Sequence, residues 1–167
     1  MKKRDLDITI RIAKKEDVER IAEIEAICFP KEEAAGLVSF QSRFEMFGEC
    51  FLVAELNGEI IGFINGMVIN KETIEDIMFE DASLHEPDGM WQSVFGLDVL
   101  PEYRCRGYAE ALMREFINKA KKEGRKGCVL TCKDRLLHYY NKFGYQNRGI
   151  SESQHGGAVW YDMLLEF

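Results

Sequence analysis

The sequence predicts one α/β domain over residues 1–167, with a mixed sheet and helices on both of its faces, and three observations carry that prediction. Asn57-Gly58 stands between the apolar runs 50–56 and 59–69, and this dipeptide supplies the two positive φ angles of a tight antiparallel hairpin. Residues 91–99 place apolar side chains on both faces of a strand, as expected where helices cover the sheet from both sides. From 95 to 132 the chain then reads as strand, loop, amphipathic helix and strand again, the alternation of an α/β layer.

The remaining elements follow in order. Asp7-Ile-Thr-Ile-Arg-Ile12 alternates with a period of two and reads as a strand. Glu16 and Asp17 open a helix in which Val18, Ile21, Ile24 or Glu25, and Cys28 recur every three to four residues, and Pro30 ends it. A second helix is expected over 32–47, closed by Gly48. After the hairpin, 74–79 reads as a short helix in a connection that turns at Pro87-Asp-Gly89. The strand from Trp91 must stop near Pro101, which has no N–H for a sheet ladder. A helix over 110–122, a strand over 127–132, a helical stretch over 137–145 and a final strand over 158–165 complete the chain.

Composition narrows the function classes. At 167 residues and 46% hydrophobic content the chain is long enough for a full core. No apolar run approaches the roughly 20 residues of a membrane span. The basic start Met1-Lys-Lys-Arg4 leads into an alternating strand rather than an apolar stretch, so it does not read as a signal peptide. The five cysteines contain no Cys-x-x-Cys pair, and Cys28, Cys50, Cys128 and Cys132 lie in apolar settings. They read as small buried hydrophobes in a reducing, cytoplasmic compartment, with no metal site. With 29 acidic against 22 basic residues, the net charge of −7 disfavours nucleic acid and mildly favours a cationic substrate such as an amine.

The segment after Pro101 carries the chemistry. Amides from Arg104 to Ala109 are expected to point outward at a helix N-terminus, where free N–H groups and the helix dipole suit phosphate oxygens. Gly107 and Ala109 allow a ligand close to the backbone, so a pyrophosphate fits. The run Arg104-Cys105-Arg106-Gly107-Tyr108-Ala109 resembles the Arg/Gln-x-x-Gly-x-Gly/Ala signature of the GNAT superfamily of acetyl-CoA-dependent N-acetyltransferases. Leu137-His-Tyr-Tyr-Asn-Lys-Phe-Gly-Tyr145 resembles the family's Tyr-x-x-x-Gly-Phe ending, in which a tyrosine sits near the coenzyme sulfur. The resemblance extends over nearly the whole chain. It implies a mixed, mostly antiparallel sheet and acetyl-CoA as cosubstrate.

Within the superfamily, 28–35, 62–66 and 151–161 resemble the bacterial branch similar to arylalkylamine N-acetyltransferases. One departure matters. The animal enzymes of that group carry two histidines thought to relay the amine's proton, and Ser93 and Phe95 stand in their places here. Neither is a base at neutral pH.

Acetyl transfer needs a neutral amine, a polarised thioester carbonyl and a proton for the leaving thiolate. By resemblance, backbone amides in Leu97, Asp98 and Val99 would polarise the carbonyl where the strand splays after Gly96. Asp98 has a structural alternative, its side chain capping the loop. Tyr140 is the candidate acid, since a phenol stays protonated at pH 7. The competing reading makes it, or Tyr139, a packing aromatic. Glu33, His155 or solvent could act as base, while His85 and His138 read as loop and surface residues. Cys105 lies in the phosphate loop without a histidine partner, so direct attack is expected rather than an acyl-enzyme.

The acceptor is expected to be a small primary amine if Phe29, Phe40 and Phe44 line a closed pocket. A protein N-terminus or lysine, or a non-catalytic acyl-CoA sensor, are the alternatives. A homodimer is compatible with this reading, and the sequence does not set the oligomeric state.

Overall fold

In the computed structural model, which describes residues 7–167, the sheet falls into two parts. The basic start lies outside the described residues. The first sheet has the order β1-β2-β3-β6, formed by Thr9–Ile12, Phe51–Leu56, Glu59–Asn65 and Gly96–Val99, and all its pairs are antiparallel. The second has the order β4-β5-β7-β9-β8, from Val68–Ile69, Trp91–Val94, Gly127–Cys132, Tyr161–Glu166 and Gln146–Ile150. Only β5 and β7 run parallel. The fold is therefore mixed and mostly antiparallel.

The hairpin forms where expected, with Asn57 at φ 51° and Gly58 at φ 82°. Two predicted strands, however, are each divided. The run 59–69 breaks after Asn65, and its last two residues join the second sheet as β4. The run 91–99 breaks at Phe95, so that β5 belongs to one sheet and β6 to the other. The two breaks face each other, since Ser93 donates to the Met67 carbonyl at 2.9 Å and Phe95 to that of Asn65 at 2.7 Å. Alternation in sequence reports which faces are buried, not which neighbour a strand keeps, so one continuous apolar run served two sheets.

Among the described residues five α-helices cover these strands: α1 Val18–Cys28, α2 Leu37–Phe47, α3 Asp76–Glu80, α4 Tyr108–Lys122 and α5 Leu137–Asn141. A short 3-10 turn at Lys15–Asp17 precedes α1. The second helix begins five residues later than expected. Glu33 and Ala34 both donate to the Pro30 carbonyl, closing a turn, and Gly36 caps the helix. Phe40 at the core of α2 meets Phe63 edge-on at 5.7 Å, while Leu112, Met113 and Phe116 of α4 are buried within the same core. Burial pushes the Cys50 and Cys128 thiols up to about 12, as expected of inert packing residues. Cys28 is only half-buried and donates to the Val99 carbonyl. Among the described residues no helix is long and apolar enough to cross a membrane, and no cluster of three or more His, Cys, Asp or Glu is gathered as a metal site.

Candidate active site

The turn into α4 is set by two left-handed residues, Cys105 at φ 63° and Gly107 at φ 85°. Gly107 caps the helix, which starts at Tyr108, two residues earlier than expected. The first helical bond runs from Ala111 to the Gly107 carbonyl. Among the described residues no protein group accepts from the amides of Cys105, Arg106, Gly107, Tyr108 and Ala109, which leaves them for an anion at the positive end of the helix. Arg104 differs from expectation: its amide donates to Pro101, and its Nε to the Val99 carbonyl at 2.9 Å. That residue ties the loop to β6. Tyr108 is buried, so its contribution to a ligand is its amide alone. Arg106 lies over the Tyr103 ring at 5.5 Å.

A cleft of about 520 Å³ opens where β6 leaves β5 and β7. As the edge strand of its sheet, β6 pairs with β3 on one side only. Leu100 donates to Ile61, and hydrogen bonding alternates along an antiparallel strand, so the amides of Leu97 and Val99 turn away from β3. The Val99 carbonyl turns the same way, since it accepts from Arg104 and Cys28. The Asp98 amide faces β3 and is lost to the ladder, contrary to the expectation that all three amides were available.

Tyr140 and Leu97 both line this cleft. Its ring packs edge-on against Tyr139 at 5.1 Å and Tyr145 at 6.1 Å, and among the described residues its hydroxyl has no protein partner. Burial, followed by the neighbouring Tyr139, holds the phenol above its ordinary value of 10. It remains a proton donor at neutral pH.

Two of the proposed bases are engaged. Glu33 lies in the turn before α2 rather than at a helix start, and its Oε2 is 2.8 Å from Lys133 Nζ. His155 Nε2 lies 2.9 Å from the Glu33 carbonyl, which can only accept, so that nitrogen donates. The imidazole also stacks on Phe79 at 5.4 Å, and Trp160 Nε1 donates to the His155 carbonyl. Ser93 is fully buried with its hydroxyl on the Met67 carbonyl, so it relays nothing to the cleft.

The aromatic lining also differs from expectation. Phe29 lines the cleft, but Phe40 is fully buried and Phe44 packs beside Phe51. Phe79, Phe95 and Trp160 take their places.

Two charged residues were missed as site residues, and a third, Asp98, was expected there only through its amide. Glu25 and Arg43 line the cleft although they are 8% and 5% exposed, and Asp98 lies 1% exposed behind them. Arg43 donates to the Phe79 carbonyl at 3.0 Å and sits 5.0 Å from the Phe95 ring centre; burial lowers its pKa to about 10. Asp98 does not cap the loop. Burial and the adjacent Glu25 carboxyl hold its acid well above the usual carboxylate range. A sequence signal existed for Glu25 alone, a glutamate within the apolar stripe of α1.

The chain is similar to several known proteins. It is 32% identical over 143 residues to "Probable hydrolase YhcX" of Bacillus subtilis (strain 168), covering 80% of this chain and 27% of that protein. Against "Serotonin N-acetyltransferase" of Mesocricetus auratus it is 29% identical over 93 residues, 55% of this chain and 44% of that one. The chain thus spans less than half of either relative. Among solved structures, the loading GNATL domain of CurA from Lyngbya majuscula superposes with a TM-score of 0.84 at 14% identity, covering 95% of this chain and 97% of that one. A GNAT family acetyltransferase from Brucella melitensis, in complex with acetyl-CoA, gives 0.62 at 20% identity over 96% and 88%. Such identities speak for the fold alone. Residues 18–145 match the model of the "Acetyltransferase (GNAT) family", and with the splayed strands and the free amides before α4 in place, the chain belongs to that family.

Proposed function

We propose that the protein is an acetyl-CoA-dependent N-acetyltransferase that acetylates a small primary amine by direct attack, without an acyl-enzyme. One observation carries this reading: the cleft between the parted strands has unpaired β6 amides on one wall and the partnerless Tyr140 hydroxyl on another.

Free amides from Cys105 to Ala109 would hold the pyrophosphate. The Leu97 and Val99 amides would bind the extended arm of the donor and the oxygen of its thioester, stabilising the negative charge that develops there in the tetrahedral intermediate. When the intermediate collapses and the C–S bond breaks, the thiolate would take the proton of Tyr140. Lining from Phe29, Phe79, Phe95 and Trp160, with carboxylates nearby, suits an amine on a small apolar body. The likeness to serotonin N-acetyltransferase supports the same choice over a protein acceptor.

Thiol release followed with acetyl-CoA and a panel of small amines and N-terminal peptides tests the reading. Release with small amines and not with peptides is expected. Tight acetyl-CoA binding with no release for any acceptor would replace it with a sensor.

A further inference from the structure

The carboxyls of Glu25 and Asp98 meet over Gly96 on the inner wall of the cleft. A Cβ placed on Gly96 would lie 3.2 Å from Asp98 Oδ1 and 3.7 Å from both Glu25 Oε1 and Asn65 Nδ2. Gly96 and Glu25 both line the cleft. Asp98 comes from a strand and Glu25 from α1, so the fold brings them together across 73 positions in the chain (98 − 25).

Neither Asp98 oxygen receives a hydrogen bond from any donor among the described residues, although both are fully buried. A carboxylate left so in the interior is costly. A proton shared with the neighbouring carboxyl removes that cost, as in other close acid pairs. Glu25 is set to accept it, because its Oε2 already takes the Ala35 amide at 2.9 Å. Charged and titratable groups around the pair are Cys28 on α1, Arg43 on α2, Arg104 in the loop before α4 and Tyr140 on α5. Arg43 balances one negative charge.

We propose that Glu25 and Asp98 hold one proton between them, that Glu25 is the catalytic base toward the acceptor amine, and that Asp98 is a positioning residue acting through it. This rests on the acetyltransferase reading above. The acceptor enters as an ammonium ion and gives one proton to the Glu25 carboxylate, leaving both acids neutral. The free amine then attacks the thioester carbon. Its second proton leaves on collapse, so that with one proton to the pair and one to the thiolate, by way of Tyr140, the amide and thiol form in balance. The pair returns its extra proton to solvent. Glu33, ion-paired with Lys133, is left to shape the wall.

The shared proton is tested on the free protein, with no acceptor present, by carbon NMR of labelled carboxyls across a pH titration. One carboxyl still protonated at pH 7, and its signal missing in Asp98→Asn, is the expected result. Full ionisation of both by pH 6 overturns the proposal.

The catalytic role is tested with an amine that the wild type acetylates. Glu25→Gln should lower kcat about 10²-fold and remove the acidic limb of the kcat/KM profile, with acetyl-CoA affinity unchanged. Asp98→Asn keeps a donor toward Glu25 and should preserve most of the turnover. Asp98→Leu removes that donor and should move the acidic limb to higher pH. A fully active Glu25→Gln variant with a wild-type profile overturns this proposal alone. A wild type inactive with every acceptor overturns the acetyltransferase reading and the base role with it.

Discussion

At the start of α4 the candidate site is made of backbone, consecutive amides from Cys105 to Ala109, whereas the cleft is lined by side chains from positions 25, 33, 79, 140, 155 and 160. The first depends on one turn of chain and the conformation of two residues. The second exists only after five separate segments have packed. A backbone-built site tolerates many side chains and is broken by bulk or charge, whereas a side-chain site is broken by removing a single functional group. Each substitution below tests one side of that contrast.

Tyr140→Phe should have the largest effect. It keeps the ring and removes the proton, so kcat should fall about 10²-fold with little change in acetyl-CoA affinity or melting temperature. Because the phenol is held above 10, the wild-type rate should decline only at strongly alkaline pH, as the acid is lost; the variant should lack that decline. Steady-state rates for the Phe and Ala variants check this. A fully active Phe variant would reduce Tyr140 to packing, and solvent would then supply the proton.

Gly107→Glu attacks the backbone side. It forces a side chain into the left-handed N-cap and puts negative charge where the pyrophosphate is proposed to lie. Acetyl-CoA affinity should fall by at least a factor of ten, about 1.4 kcal/mol. Calorimetric titration of the folded variant measures it, and an unchanged Kd would remove the loop from the site.

Gly58→Val separates fold from function. The residue sits at φ 82° in the hairpin, away from the cleft. The valine should cost about 1 to 2 kcal/mol of stability and leave acetyl-CoA binding intact. An unaltered melting temperature would argue against the turn.

The smallest effect is expected from Cys105→Gly. Cys105 is exposed at φ 63°, a conformation that glycine adopts freely. Relief of strain, partly offset by the greater freedom of the unfolded chain, should stabilise by about 0.5 kcal/mol. Coenzyme affinity should hardly change, since the amide stays in place. A large loss of affinity would mean that the thiol itself contacts the ligand.

The same contrast separates what was legible from what was not. The hairpin and the turn into α4 are legible in short runs because Asn-Gly, Pro101 and Gly107 act on their immediate neighbours. Phe40 and Phe44 were assigned to the pocket on residue type alone, and the fold placed Phe40 in the core and chose Phe79, Phe95 and Trp160 instead. Glu33 looked like a free carboxylate because Lys133 lies 100 residues away. Asp98 looked like a loop cap, yet its carboxyl meets that of Glu25, which comes from α1.

By itself the sequence determined the mixed α/β class, the Asn57-Gly58 hairpin and the turn into α4, because turn chemistry and periodic burial are local properties of the chain. Tertiary structure alone decided that the strand from Trp91 parts at Phe95, and it also decided which carboxylates are paired with a cation and which with each other. Those outcomes depend on which remote segments share a buried space, where a charge must find a partner or a proton.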